Sequence, residues 1–181
     1  MEKILEIMLG FTNKSYSVPY RIVSMIPGTI VFLIISPFVL FFPARFLGQL
    51  VPLTFSSTVE MVVMVIACTV AMLLMHWALY VLWVDGDGTP APIAPTKALV
   101  KKGPYRFLRN PVELGTDFYF FVLGTWFDSL VTGFFCMIFG MILGLAYIKI
   151  IEEKELALRF GDEYELYKDR TPCMFPWIPK G

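Results

Sequence analysis

Residues 61–84 read MVVMVIACTVAMLLMHWALYVLWV, a run with no aspartate, glutamate, lysine or arginine. A helix needs about 20 mostly apolar residues to cross about 30 Å of hydrocarbon, so this run predicts a membrane span, Met61–Val84. On its N-terminal side Ile22–Phe42 is a second uncharged stretch, interrupted by Pro27 and Pro37. Membrane helices tolerate such prolines where neighbours satisfy the carbonyls they free. On its C-terminal side Asp85–Arg109 breaks the pattern. It carries four prolines, the turn residues Asp85-Gly86-Asp87-Gly88 and five basic residues, and reads as loop. Leu114–Phe127 and Ser129–Ile151 form a last apolar pair, turned at Phe127-Asp128-Ser129. The first of these is short, which predicts a tilted or partly inserted helix. From Glu152 the pattern turns amphipathic, with Leu156, Leu158 and Phe160 among charges, and predicts a helix that continues out of the membrane.

The expectation is an all-α, polytopic membrane protein. It has about four transmembrane helices, a C-terminal helical hairpin and a cytosolic C-terminal helical extension. Residues 1–84 hold an amphipathic segment and two spans, and residues 85–181 hold the loop, hairpin and tail, within one structural domain. Composition agrees: 57% of residues are hydrophobic and 17% charged, where soluble domains carry about 25% charged residues. Fifteen basic and fifteen acidic residues cancel, and no basic cluster suggests nucleic acid. Cys68, Cys136 and Cys173 have no C-x-x-C spacing, so neither a metal site nor a disulfide framework is implied.

Residues 1–21 lack the regions of a signal peptide. The N-terminus is therefore expected to be retained as a short surface helix, with Ile4, Leu5, Met8 and Leu9 opposite Glu2, Lys3 and Glu6. Lysine and arginine fall three in residues 1–21, one in 43–57, five in 85–111 and six from Lys149 onward. With four crossings, this bias predicts that both termini and the middle loop are cytoplasmic.

Two polar blocks flank the hairpin: Gly103–Gly115, GPYRFLRNPVELG, and Glu152–Arg170, EEKELALRFGDEYELYKDR. In the first, Gly103-Pro104 marks a turn that brings backbone donors near a ligand, and Tyr105 offers a ring and a hydroxyl or anchors at the headgroup level. Asn110 precedes Pro111, a pair that suits a helix cap and a helix start. The free N–H groups there favour a carboxylate. Glu113 and Asp117 stand four apart and so share a helix face. They either recognise a cation or pair with Arg109 or Lys149. Glu152 and Glu153 are good acceptors for hydroxyl or amino groups, or they solvate a helix exit. His76 is the single histidine and lies mid-span, far from both blocks.

Together the blocks resemble the isoprenylcysteine carboxyl methyltransferase family and its phospholipid methyltransferase relatives. The family pattern is G-x-Y-x-x-x-R-[HN]-P-x-Y-x-G, followed by E-E-x-x-L-x-x-x-F-G-x-E-Y-x-x-Y, and the resemblance covers residues 88–178. It implies an integral membrane enzyme that uses S-adenosylmethionine on a lipophilic or lipid-modified acceptor. By resemblance the cofactor is held by Lys97, Leu99, Val100 and Tyr105, by Arg109, Asn110, Pro111, Val112 and Glu113, and by Glu152 and Glu153. Asn110 and Glu113 are the candidate catalytic residues, and Lys149 and Asp117 the candidate substrate contacts. Glu113 departs from the family, which has tyrosine there. Ile148 stands where prenylcysteine enzymes carry an arginine for the substrate carboxylate, and the neighbouring Lys149 is no equal for bidentate binding. Methyl transfer asks for alignment of donor and nucleophile and exclusion of water more than for acid–base chemistry. Two other readings stay open. One is a nicotinamide-dependent reductase of the sterol-reductase type, against which this chain is short and lacks a basic 2′-phosphate pocket. The other is a member of the fold without turnover.

Overall fold

The computed structural model describes residues 2–12 and 14–175. Side chains 2–4, and with them Glu2, Lys3 and Ile4 of the expected N-terminal amphipathic helix, lie outside the described residues, as do 176–178 of the resembling stretch. Among the described residues eight α-helices run in the order α1 Glu2–Leu9, α2 Val18–Ile30, α3 Ser36–Leu50, α4 Ser57–Val84, α5 Pro111–Phe127, α6 Leu130–Tyr147, α7 Glu153–Phe160 and α8 Asp162–Arg170. A π-helical turn at Val31–Ile35 joins α2 to α3, and another at Ile148–Glu152 joins α6 to α7. Among the described residues the only strand-like pairing is an isolated bridge between Thr89 and Pro95.

Among the described residues three helical stretches are long and apolar enough to cross a membrane: Val18–Leu50, Ser57–Val84 and Leu130–Phe160. Only 11% of the most apolar window is buried in each of the first two, and 22% in the third. Their apolar surface is therefore not consumed by a protein core and is left for lipid. Phe38, Phe42, Leu73 and Tyr80 are among the exposed side chains. The hairpin's first helix, α5, has 17 residues, about 25 Å at 1.5 Å per residue, and falls short of the three. The first span exceeds its expected range at both ends: α3 runs past Pro43 and Arg45 to Leu50.

Contacts divide the chain into two compact units. Unit 1 comprises residues 1–28, 76–111 and 145–181; unit 2 comprises 29–75 and 112–144.

In unit 2, Leu40, Ala44, Phe120 and Cys136 form a buried apolar cluster with Phe41, Tyr119, Phe135 and Phe139 packed against it. Pro37 has no N–H to offer the carbonyl four residues earlier. That carbonyl, Leu33 O, accepts the Tyr119 hydroxyl at 2.8 Å, so a neighbouring helix satisfies what the proline frees. The α5–α6 turn is fixed by side-chain caps. Ser129 Oγ accepts the Thr132 N–H at 3.2 Å, Asp128 Oδ2 accepts the Thr132 hydroxyl at 2.6 Å, and Glu60 Oε1 accepts the Leu130 N–H at 2.9 Å. Arg45 pairs with Asp128 at 3.0 Å. Below the turn, small residues let the two backbones approach, as in membrane helix pairs generally. A Cβ at Gly140 would stand 2.5 Å from Phe120 Cδ2 and 2.7 Å from Asp117 Oδ1, and one at Gly144 would overlap the Glu113 carboxylate.

In unit 1 the loop 85–110 has no α-helix, as its prolines and glycines predict, and only a 3₁₀ turn at Gly103–Arg106. Arg21, 6% exposed, holds the loop's beginning. Its guanidinium donates to Asp87 Oδ1 at 3.0 Å and to the carbonyls of Trp83 and Gly88 at 2.9 Å each, and stacks on the Trp83 ring. At the far end, Gly161 ends α7 with φ +51°, a conformation that favours glycine, and turns the chain into α8.

Candidate functional site

The two polar blocks meet within unit 1. Arg109, from the end of the loop, is the hub. Its Nη1 donates to Glu153 Oε1 and to the Tyr164 hydroxyl, each at 3.0 Å, and its Nε donates to the Thr171 carbonyl at 3.0 Å. The Arg109 and Glu153 side chains are 8% and 11% exposed, so this ion pair is largely shielded from water. Burial alone would lower the arginine's pKa. Its interactions with Tyr164 and the Glu153 carboxylate more than offset that, and its pKa lies above the ordinary value.

Backbone bonds repeat the link. The Arg109 N–H donates to the Pro172 carbonyl at 2.9 Å, and the Asn110 N–H to that of Cys173 at 3.2 Å. The Asn110 side-chain amide also donates to the Cys173 carbonyl, at 2.9 Å. That leaves Asn110 Oδ1 as the end of the side chain able to accept a donor. Pro111 begins α5, as its fixed φ favours.

Tyr105 is 8% exposed, and its carbonyl accepts the Tyr167 hydroxyl at 2.7 Å. Burial holds the Tyr105 phenol well above its usual pKa, and the neighbouring charge of Glu152 adds to this. Tyr164 and Tyr167, 2% and 8% exposed, pack α8 onto the rest of the unit. Their pKa values are raised, first by burial.

The residues named for a cofactor thus divide by what they already do. Arg109 and Glu153 hold one another. Lys149 pairs with Glu153 as well, and Lys97 pairs with Asp87. Of the others in unit 1, Val100 and Tyr105 are buried, and Leu99, Asn110 and Glu152 are half-buried. Their chemistry fits an S-adenosyl group: apolar walls for a ring, a carboxylate for ribose hydroxyls or an amino group, and an amide oxygen and a phenol as polar fixes. A groove of about 320 Å³ on the same unit, lined among others by Lys101, Arg106, Tyr167 and Arg170, contains none of these residues.

Val112, Glu113 and Asp117 belong to unit 2. Asp117 is fully buried, and neither of its carboxylate oxygens has a hydrogen-bond partner among the described residues. The expected partners of this acidic pair, Arg109 and Lys149, are both engaged by Glu153.

Sequence reasoning missed a second buried ion pair. Arg159 and Glu155, 7% and 6% exposed, bond at 2.8 Å, and Arg159 also donates to the Thr96 carbonyl. The signal was present, because a glutamate four residues before an arginine is the favourable helical order. Arg21 was missed as a structural residue because in the sequence it counts only as one loop charge among three.

Residues 59–163, more than half of the chain, match the family described as phospholipid methyltransferase. A relative, methanethiol S-methyltransferase 1 of Bradyrhizobium diazoefficiens, is 31% identical over 74 residues, which cover 40% of this chain and 24% of that protein. The aligned stretch therefore spans about a quarter of that relative's length. No solved structure matches the chain.

Proposed function

Because the chain belongs to the phospholipid methyltransferase family, we propose that it is a multi-pass membrane enzyme transferring a methyl group from S-adenosylmethionine to a lipophilic acceptor. The observation that carries this reading is the Arg109–Glu153–Tyr164 contact. It ties the block before α5 to the block after α6, and so gathers Leu99, Val100, Tyr105, Asn110 and Glu152 in one unit. When bound, the donor supplies an electrophilic methyl group on a sulfonium.

The chain's own part is binding, orientation and exclusion of water. Leu99 and Val100 offer an apolar wall, Glu152 accepts from hydroxyl or amino groups, and Asn110 and Tyr105 position. Arg109 and Glu153 act through the others: their mutual bond holds the frame in which Asn110 and Glu152 sit, and Pro111 sets the start of α5. Buried Tyr164, Tyr167 and Met174 keep water from beneath that frame.

In this reading α5 inserts as a fourth, tilted element beside the three long helices, the termini face the cytoplasm, and α7 and α8 form the extension on that side. The acceptor belongs to the range from lipid head groups to prenylated or small thiol compounds. The relative's printed activity, methanethiol S-methylation, lies at the small end. A carboxylate acceptor is disfavoured, since Ile148 occupies the position where an arginine would grip it.

The test is thermal unfolding in detergent with S-adenosylhomocysteine. At a hundredfold excess over its dissociation constant the ligand should add about 2.7 kcal/mol. Replacing Glu152 by Gln and Tyr105 by Phe should weaken that effect without unfolding the protein. Stabilisation by NADPH and not by S-adenosylhomocysteine would overturn the assignment.

A further inference from the structure

Unit 2 contains four acids, Glu60, Glu113, Asp117 and Asp128, and a single lysine or arginine, Arg45. Arg45 pairs with Asp128, and Glu60 accepts the Leu130 N–H. Glu113 and Asp117 are left facing α6 at Gly144 and Gly140, where an added Cβ would overlap the Glu113 carboxylate and would crowd the Phe120 ring and Asp117 Oδ1. The adjacent Thr116 hydroxyl is turned back to its own helix, donating to the Val112 carbonyl at 2.9 Å. Asp117 is 0% exposed with both oxygens lacking a donor.

A buried carboxylate without charge or donor is costly, and in a membrane helix such residues mark sites of function. Two carboxylates alone fall short of a metal's shell, and among the described residues no group of three acidic, thiol or imidazole side chains assembles.

We infer that Glu113 and Asp117 form a receptor for one compact onium group, a positively charged sulfonium or ammonium carried by a ligand, against the glycine face of α6. The counter-charge that the unit lacks is brought by the molecule it binds. This deepens the methyltransferase reading, in which a sulfonium belongs to the donor and an ammonium would belong to the other ligand. It also fails separately from that reading. S-Adenosylhomocysteine, uncharged at sulfur, tests donor binding, whereas small onium ions test the acid pair.

The experiment compares thermal unfolding of the full chain in detergent with trimethylsulfonium chloride, methylammonium chloride and, at equal ionic strength, potassium chloride. An onium ion at tenfold excess over its dissociation constant should raise the melting temperature of the native chain by about 3–6 °C, saturably. Glu113→Gln and Asp117→Asn should each abolish that rise. Each should also melt higher than the native chain without ligand, because a structural role for the charge would lower it. Should one variant not fold, the other carries the same comparison. A response to the sulfonium alone assigns the site to the donor's charge; a response to the ammonium alone assigns it to the other ligand. Potassium matching both, or unliganded stabilisation by Asp117→Asn with no onium response in the native chain, overturns the inference. The last result would identify a permanently protonated acid.

Discussion

The two units treat buried charge in opposite ways. In unit 1 every buried arginine has a carboxylate: Arg109 has Glu153, Arg159 has Glu155 and Arg21 has Asp87. Each also bonds at least one backbone carbonyl. In unit 2 a fully buried acid, Asp117, has neither kind of support. The first arrangement uses charge to connect distant segments of chain, and its value is structural. The second has no structural return, and under the proposal its charge is read through a ligand. Breaking a pair in unit 1 and neutralising an acid in unit 2 should therefore move stability in opposite directions.

The largest effect is expected at Arg109. Replacing it by Ala strands Glu153 and removes bonds to Tyr164 and Thr171 in one step. Losing one partner of a buried pair costs about 3–5 kcal/mol. Arg109→Lys should recover little, because an ammonium cannot reproduce the guanidinium's several directed donors. Denaturant titration in detergent would measure both. A loss under about 1 kcal/mol for Arg109→Ala would mean the unit 1 network is ornamental and would erase the contrast. Asp117→Asn belongs beside it, with the opposite sign and a gain of about 1–3 kcal/mol from relieving an unsatisfied buried group.

Next come the glycines that admit the acids. Gly144→Ala places a methyl group on the Glu113 carboxylate, and overpacking of this kind costs about 1–3 kcal/mol. Since the obstructing atoms are the end of one side chain, Glu113→Ala in the same chain should restore most of the loss. A double-mutant cycle on melting temperature tests this. Additive losses would show that Gly144 serves the helix backbones and not the acid. Tyr119→Phe is smaller again: it leaves the Leu33 carbonyl without the donor that replaces the one Pro37 lacks, at about 1 kcal/mol.

These comparisons also separate what was legible in the sequence from what was not. The apolar runs were legible because bilayer thickness imposes a length, and Met61–Val84 differs from the observed helix only at its start. The α5–α6 turn at Phe127-Asp128-Ser129 and the helix start at Pro111 were legible because proline and small polar residues have local preferences that survive any tertiary setting. The meeting of the polar blocks followed from their order around a hairpin. Which glutamate Arg109 would choose did not, because Glu152 and Glu153 are adjacent and only the packed geometry of α7 distinguishes them. The extension of the first helix to Leu50 was hidden because Arg45 reads as a boundary. Its partner, Asp128, lies more than eighty residues away in the chain. The state of Glu113 and Asp117 was half legible: their shared face follows from spacing, but the capture of Arg109 and Lys149 by Glu153 follows only from the packed fold.

The smallest effect is expected at Asp87, and it tests how far the unit 1 pattern reaches. Asp87 accepts from Lys97 at 2.5 Å and from Arg21 at 3.0 Å. The hydrogen bond from Lys97, reinforced by both cations, holds its pKa below the ordinary carboxylate value. A lowered folded-state pKa means the contribution is present above the unfolded value of about 4 and is lost as pH falls through the folded one. The side chain is 56% exposed, however, so water and salt screen the interaction to at most about 1 kcal/mol. Arg21 would also keep the carbonyls of Trp83 and Gly88 and the face of the Trp83 ring after the carboxylate is gone. Asp87→Asn should accordingly cost a few tenths of a kcal/mol at neutral pH. It should flatten the loss of stability between about pH 5 and 3, and the native chain in high salt should approach the variant. A loss as large as that of Arg109→Ala would place Asp87 among the buried partners. The distinction would then lie in what each charge touches, and not in how deeply it is buried.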